Sequence, residues 1–408
     1  MPAQRDFYDL IVVGGGIVGL ATAYQLQVRE PSLRILLLEK ADHLAAHQSG
    51  HNSGVIHSGL YYKPGSSKAQ NCVKGRKALV EFAQTHGIAH EICGKVVVAT
   101  HESELPHAER IFQNGLANGI EGITKIDGRQ VRDIEPHCTA AISGIWVPCA
   151  GIIHYPEVAA KLAGLFLQIN PHSKLLTGQA VRLIRSLPEG KEVLTGNHTF
   201  RSKQLICCAG LHADRLASMD GLRPQARIVG FRGDYYELSP AGCSKVRNLI
   251  YPIPNPAFPF LGVHFTRMIR GGVECGPNAV FTFKREGYGK TDFNLRDSWE
   301  ALTYAGTWRL FARHWKFGLN EYRRAFSKKL FHTQLKRLIP SIGYEELLPG
   351  RSGVRAMALL PDGSMLDDFH IESTPHSIHV LNAPSPAATA CLAIGEQICD
   401  MALKQFAR

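Results

Sequence analysis

The sequence lacks the cysteine spacing that binds zinc or forms a disulfide framework. Its ten cysteines are scattered, no two form a C-x-x-C pair, and Cys207 and Cys208 are neighbours inside an apolar run. This usage is typical of a reducing compartment. We therefore expect no metal site and a cytoplasmic protein.

A long uninterrupted hydrophobic run is also missing. The first apolar stretch is broken by the glycines at 14–16 and continues into a segment that contains Gln25 and Gln27. This pattern predicts neither a signal peptide nor a membrane span.

Acidic residues are fewer than basic ones, 35 against 46, which gives a formal net charge of +11. No nucleic-acid-binding motif accompanies this charge, so we expect no nucleic-acid partner and instead an anionic substrate or an anionic surface. The length of 408 residues predicts two domains. The oligomeric state stays open.

A nucleotide-binding pattern occupies the first forty residues. The apolar run at 10–13 reads as a buried parallel strand, Gly14, Gly16 and Gly19 satisfy G-x-G-x-x-G, and an apolar helix follows. A second apolar run ends in Glu39, twenty residues after Gly19. Strand, glycines, helix and acid together predict a pyrophosphate at the helix amino terminus and a ribose hydroxyl on Glu39.

Similar signals return later in the chain. Strands running into turns are predicted near Val181 and before the pair Ala209 and Gly210, and a last strand to Leu381 precedes a proline-rich turn and a helix from about Ala387. We therefore predict a nucleotide-binding domain in three segments, 1–82, 146–224 and 346–408. Segments 83–145 and 225–345 would form a substrate domain.

These motifs, with "HNSGVIHSGLYY" at 51–62, "LGVHFTR" at 261–267 and "NAPSPAATA" at 382–390, resemble the D-amino-acid oxidase superfamily of FAD enzymes. Within it they are most similar to enzymes that oxidise L-2-hydroxyglutarate. The resemblance implies noncovalent FAD, a Rossmann-like α/β domain and a smaller substrate domain with a mixed or antiparallel sheet. It also implies oxidation of a 2-hydroxy acid to a 2-oxo acid by hydride transfer to flavin N5.

The residues expected to contact FAD come from all of these motifs. They are Gly14, Gly16, Ile17, Val18, Gly19, Glu39, Lys40, Ser49, Asn52, Ser53, Gly54, Val181, Ala209, Gly210, Ala387, Ala388 and Thr389. The last three would present N–H groups to the O2/N1 side of the flavin from the start of the final helix.

Two histidines are candidates for the base that removes the hydroxyl proton. His264 follows Gly262 in a segment whose alternation puts Leu261, Val263 and Phe265 on the opposite strand face, whereas His57 lies in the flavin loop. We favour His264, because His57 fits a role in orienting flavin or substrate.

The two carboxylates of the substrate need cationic anchors. The candidates are Arg267 and Arg355, with Lys63 as a third, and Tyr251 and Thr266 complete the predicted substrate contacts.

Segment 308–338 is strongly basic, and from Tyr322 its apolar residues recur at helical spacing. Such a stripe most often faces a core, but a basic amphipathic helix can also lie on an anionic membrane. A peripheral position on the inner face of the cell membrane would suit transfer of electrons to quinone, and dioxygen is the alternative acceptor. An amine or amino-acid oxidase, a glycerol-3-phosphate dehydrogenase and a non-catalytic flavoprotein remain as alternative functions.

Overall fold

The computed structural model describes residues 7–196, 198–254 and 262–406. Its β-strands, in chain order, are β1 (Phe7–Val13), β2 (Ile35–Leu38), β3 (Val55–Ile56), β4 (His90–Glu91), β5 (Lys95–Ala99), β6 (Thr124–Asp127), β7 (Ser143–Val147), β8 (Gly151–Ile153), β9 (Lys174–Leu176), β10 (Leu183–Leu187), β11 (Gly190–Leu194), β12 (Thr199–Cys207), β13 (Arg227–Leu238), β14 (Leu249–Pro252), β15 (His264–Arg267), β16 (Val273–Gly276), β17 (Val280–Phe281), β18 (Leu347–Leu359), β19 (His370–Thr374) and β20 (Ser377–Asn382).

The α-helices are α1 (Ile17–Arg29), α2 (Ser67–Thr85), α3 (Leu105–Ala117), α4 (Gly128–Ile134), α5 (Tyr155–Ile169), α6 (Ala213–Met219), α7 (Pro240–Cys243), α8 (Leu295–Leu302), α9 (Ala305–Phe326), α10 (Lys328–Leu335) and α11 (Cys391–Phe406). Short 3₁₀ turns occupy Glu102–Glu104 and Gly210–His212. None of the helices in the described ranges is long and apolar enough to cross a bilayer.

The first sheet has the order β10-β11-β12-β1-β2-β9, and its strands from β12 to β9 run parallel. β20 pairs in parallel with the end of β12, and β19 forms a hairpin with β20. Every residue of β2 is buried, as expected of a parallel strand covered on both faces. Helices α1, α5 and α11 pack on one face, and α6 packs on the other. This is the predicted Rossmann-like domain.

The second sheet has nine mixed strands in the order β17-β13-β16-β15-β14-β5-β7-β6, with β18 against β13. One face carries Ile250 and Phe265 and packs against Phe331 and Leu335 of α10. The other face carries Tyr251 and packs against the 55–60 loop of the first domain. The second face therefore closes over the loop that the sequence assigns to the flavin.

The domain ranges need two corrections. Strand β18 falls in the segment 346–408 assigned to the nucleotide domain, but it pairs antiparallel with β13 along most of its length. It therefore belongs to the second sheet, and the chain returns to the first sheet only at β19. Strand β7 also extends the second sheet to Val147, two residues past the predicted boundary.

Three local predictions also change. The final helix begins at Cys391, four residues after Ala387, because residues 385–390 form turns. The strand predicted near Val181 begins at Leu183. The basic segment is not one continuous helix. α9 has a kink at His314 and ends at Phe326, and α10 starts after Ser327, whose hydroxyl accepts the Leu330 N–H.

Candidate active site

The glycine loop between β1 and α1 packs against neighbouring backbone more closely than a side chain would allow. Gly14 has φ +116°, and a Cβ atom there would lie 2.3 Å from the Cys208 carbonyl oxygen. A Cβ atom on Gly19 would lie 2.1 Å from the Gly14 carbonyl oxygen. Gly16 precedes α1, whose first turn has no acidic residue, and glycine itself supplies no side-chain cap. The amino terminus of α1 is thus a fitting site for an anionic pyrophosphate.

Glu39 lies directly beyond β2 and is 6% exposed. Its carboxylate accepts the Gly15 N–H at 2.7 Å and the Ala41 N–H at 2.8 Å. The acid is therefore held beside the glycine loop, where a ribose hydroxyl would approach. Lys40, the next predicted FAD contact, is exposed, and its side chain forms an ion pair with Glu286 of the second domain.

The loop after β2 is held by its own polar side chains. The Ser49 hydroxyl accepts the Ile17 N–H at 2.9 Å, so it occupies the amino terminus of α1 beside the partly exposed Val18. Asn52 donates to the carbonyls of Gln48 and Ser49, and its side-chain oxygen accepts the Gly54 N–H. Asn52 therefore shapes the loop that carries Ser53, which is partly buried.

The remaining predicted FAD contacts come together at the same edge of the first sheet. Gly210 has φ +50° and, with Ala209, follows β12 beside the glycine loop. Val181 lies in a loop near Glu39, whose carbonyl accepts the Gln179 N–H at 2.7 Å.

The turn before α11 is tied to the flavin loop through Thr389. This side chain is fully buried, and its hydroxyl accepts the His57 N–H at 3.1 Å and lies 2.8 Å from the Tyr155 hydroxyl. Ala387 and Ala388 are partly buried in the same turn. Thr389 thus positions His57 through a backbone contact, and the N–H groups predicted to face the flavin belong to a turn rather than to a helix.

His264 is a buried imidazole in its neutral form. It is 5% exposed, and its Nδ1 lies 2.9 Å from the Gly262 carbonyl oxygen, which can only accept. The proton therefore sits on Nδ1, and the lone pair of Nε2 is available. Burial, reinforced by the positive charges of Arg355 and Lys95, lowers the pKa of His264 to about 3.

The alternation predicted for this strand is observed at 263–266, whereas Leu261 lies outside the described residues. Phe265 pairs with Ile250 in the core of the second domain, and His264 and Thr266 project from the other face. There the His264 ring stacks on Tyr251 at 3.9 Å, and the Thr266 side chain hydrogen-bonds the Tyr251 hydroxyl.

His57 approaches the same region from the first domain. Burial lowers its pKa to about 3, and the charges of Lys95 and the neighbouring His264 act in the same direction. Arg355, on β18, lies close enough to His264, Tyr251 and Tyr235 for its charge to lower the pKa of each. The structure therefore brings together both candidate bases and one of the predicted arginines.

Two predicted anchors lie apart from this cluster. Arg267 alternates to the opposite face from His264 and forms an ion pair with Glu91. Lys63 is exposed in the turn before α2, where its carbonyl accepts the Ser66 N–H. Arg267 lies at the end of a strand and Lys63 lies in a loop. At such positions the sequence does not show whether a cationic side chain binds substrate or is an ordinary surface charge.

One buried cation was missed by the sequence reasoning. Lys95 opens β5, is 1% exposed, and holds its ammonium 4.7 Å from the Tyr61 ring centre and 5.1 Å from that of Tyr251. A lysine at the head of the valine run "GKVVVA" was the available signal. In the described ranges, no group of three or more His, Cys, Asp or Glu side chains has the arrangement needed to bind a metal ion.

Comparison with known proteins identifies the family. The model of the DAO family, described as FAD dependent oxidoreductase, matches residues 9–401. The chain belongs to this family. Its FAD is consistent with the glycine loop, the amino terminus of α1 with no acidic residue in its first turn, and the acid beyond β2.

Several relatives match along nearly their whole length. An L-2-hydroxyglutarate dehydrogenase of Indibacter alkaliphilus is 45% identical and covers 98% of this chain and 100% of the relative. The mitochondrial human protein of that name is 39% identical, over 99% of this chain and 90% of the relative.

Among solved structures, an FAD-bound L-alpha-glycerophosphate oxidase from Mycoplasma pneumoniae superposes with a TM-score of 0.80 at 23% identity, over 99% of this chain and 95% of that chain. A glycine oxidase from Geobacillus kaustophilus superposes with a TM-score of 0.72 at 18% identity, over 98% and 95%. These two structures confirm the fold class.

Proposed function

We propose that the protein oxidises L-2-hydroxyglutarate to 2-oxoglutarate with FAD. The observation that carries the proposal is a buried neutral histidine, His264, with a free Nε2 lone pair beside the cations Arg355 and Lys95. A 2-hydroxy diacid needs both a base for its hydroxyl and positive charge for its carboxylates. The full-length similarity to L-2-hydroxyglutarate dehydrogenases supports the same substrate.

FAD, held by the glycine loop with Glu39 and Ser49 beside it, would supply at flavin N5 the acceptor for the hydride that leaves the α-carbon. His264 Nε2 takes the hydroxyl proton, so the substrate loses one hydride and one proton and gains a carbonyl bond. The contact between Nδ1–H and Gly262 fixes both the tautomer and the orientation of the ring. Stacking on Tyr251 holds the imidazole in place as the proton moves.

The decisive test compares two histidine variants by anaerobic single-turnover reduction of the flavin. His264→Ala should retain FAD and lower the rate of reduction by about 10² to 10⁴, the usual effect of losing a positioned acid–base group. His57→Ala should affect flavin affinity or spectrum more than the rate. The assignment of the base is refuted if His264→Ala reduces at a near-normal rate while His57→Ala loses both the rate and the wild-type pH dependence.

The substrate class is tested on the wild-type enzyme with a panel of reductants. L-2-hydroxyglutarate should bleach the flavin, whereas amino acids, amines and glycerol 3-phosphate should not at matched concentration. Faster reduction by an amino acid would favour an amino-acid oxidase. Bound FAD that none of the panel reduces would favour a non-catalytic role.

We also propose that the electrons pass to quinone at an anionic membrane surface, with dioxygen as the alternative acceptor. Support comes from helices α8 and α9, where Trp299, Trp308 and Trp315 are 69%, 58% and 58% exposed. Basic side chains surround them along α9. Exposed tryptophans beside positive charge are characteristic of proteins that insert at the lipid headgroup level. The apolar residues Phe331 and Leu335 of α10 are instead buried, so that half of the basic segment faces a core.

Vesicle pelleting tests this surface. Binding to anionic vesicles should exceed binding to neutral ones and should fall as salt rises, because exposed charges are screened within about 10 Å at 0.1 M salt. Trp308→Ser with Trp315→Ser should weaken binding, and Val28→Ser, which removes an exposed side chain of the first domain, should not. Equal recovery with neutral and anionic vesicles would contradict a membrane role.

A further inference from the structure

The second sheet presents a row of three side chains to the flavin loop. His264 on β15, Tyr251 on β14 and Lys95 on β5 lie on neighbouring strands. Pairing of Tyr251 with Val97 and of Leu249 with Lys95 puts these side chains on one face, since paired residues and alternate residues share a face. The Tyr251 ring lies between the imidazole, at 3.9 Å, and the ammonium, at 5.1 Å.

Lys95 is a cation without a nearby anion. Its side chain is 1% exposed, and no carboxylate forms an ion pair with it in the part of the chain that the structure describes. Two aromatic rings contact the ammonium, and the hydroxyl of one of them, Tyr61, is buried with no hydrogen-bond partner among the described residues. A buried ammonium is costly unless a counter-charge joins it. The site therefore has the character of one that receives an anion.

We infer that Lys95 binds the distal carboxylate of the substrate and so selects a five-carbon diacid over a monoacid. This inference rests on the proposed function for the identity of the substrate. The Tyr251 ring separates His264 from the Lys95 ammonium, so a carboxylate on Lys95 would lie away from the hydroxyl that meets His264. Lys95, on the far side of Tyr251, is left for the second carboxylate.

The length of the substrate agrees with this arrangement. In L-2-hydroxyglutarate, three C–C bonds separate the carbinol carbon from the distal carboxylate carbon. A hydrogen bond of about 2.8 Å at each end extends this reach to the two protein groups. We therefore place the hydroxyl of one molecule at His264 and its distal carboxylate at Lys95, with the carbon chain along the edge of the Tyr251 ring.

The test measures binding and does not depend on turnover. Holoenzyme is titrated with glutarate and with pentanoate, its monoacid counterpart, and binding is followed by calorimetry and by the visible spectrum of the flavin. Wild-type protein should prefer glutarate. Lys95→Met, close in volume, should weaken glutarate about 10²-fold, as expected for a lost charged hydrogen bond, and leave pentanoate within about threefold. Lys95→Arg should restore most of the preference.

Lys125→Met is the matched control, because Lys125 belongs to the same sheet but is exposed and paired with Glu109. It should change neither affinity. The pH dependence adds a second readout. Burial lowers the pKa of Lys95 to about 8, while the nearby Cys149 and Cys72 thiols act in the opposite direction. Glutarate affinity should therefore be full below pH 8 and fall above it, and this fall should vanish in Lys95→Met.

Equal affinity of the wild type for glutarate and pentanoate would overturn the inference, as would equal weakening of both ligands in Lys95→Met with FAD content unchanged. A different result would contradict the proposed activity and not the role of Lys95. In that result, L-2-hydroxyglutarate would not reduce the flavin, but glutarate binding would still depend on Lys95 and would support the carboxylate site.

Discussion

The close packing of α1 on the glycine loop makes Gly19→Ala a sharp test of the cofactor site. The new Cβ atom would lie 2.1 Å from the Gly14 carbonyl oxygen, whereas ordinary carbon contacts are about 3.5 Å or longer. The carbonyl or the helix must therefore move by more than about 1 Å. Overpacking of this kind costs about 1–3 kcal/mol, against about 1 kcal/mol gained from alanine in a helix.

The displaced groups are those that we expect to receive the pyrophosphate, so the effect on FAD should exceed the effect on folding. Loss of one charged hydrogen bond corresponds to about 1.5–3 kcal/mol, or roughly 10²-fold in FAD affinity. The assay is reconstitution of apoprotein with FAD, followed by thermal unfolding with and without cofactor. Gly164→Ala in α5 is the control, because no heavy atom lies within 4 Å of its added Cβ atom. Wild-type FAD affinity in Gly19→Ala would refute the assignment of this loop to the cofactor.

Three further predictions concern Glu39, Thr389 and His264. Glu39→Arg should lower FAD content, because the carboxylate beside the loop is replaced by a cation; unchanged affinity by titration would remove this residue from the site. Thr389→Val should destabilise the protein by about 1–3 kcal/mol in chemical denaturation, since the buried His57 N–H loses its acceptor, and an unchanged midpoint would contradict that role. Because the pKa of His264 is about 3, kcat/KM for flavin reduction should not show the tenfold loss at pH 5.5 expected of an ordinary histidine with a pKa of about 6.5, and such a loss would argue against this environment.

The elements that local pattern fixes were predictable. The strand, glycines, helix and acid at 10–39 occur as expected, because each signal lies within a few residues of the element that it specifies. The alternation at 263–266 likewise predicts which face carries His264. The alternation does not predict that His264 is buried. The polar face of this strand is covered by the first domain and is not exposed to solvent.

The errors concern long-range partners. Residues 387–390 are small and suited to a helix, but the Thr389 hydroxyl bonds with the flavin loop more than 300 residues earlier in the chain, and the helix starts later. Strand β18 pairs with β13, about 120 residues before it, and no local pattern shows which sheet receives it. Lys95 was missed for the same reason, since its burial depends on Tyr61 and Tyr251 from distant segments.

The low pKa of His264 belongs to the protein before substrate arrives, and the substrate itself changes it. Burial and the charges of Arg355 and Lys95 hold the free imidazole neutral, which keeps Nε2 ready to accept a proton but makes it a weak base. In the binding mode that we propose, a dianion would place a carboxylate on each cation and would cancel the part of the pKa shift that the cations cause. The pKa of His264 would therefore rise when the diacid binds. A monoacid would raise this pKa less, because the charge of one cation would not be neutralised. The charges of Arg355 and Lys95 thus couple the binding of the diacid to the base strength of His264. Removal of Lys95 should therefore reduce two differences between diacid and monoacid substrates, the difference in affinity and the difference in flavin reduction rate.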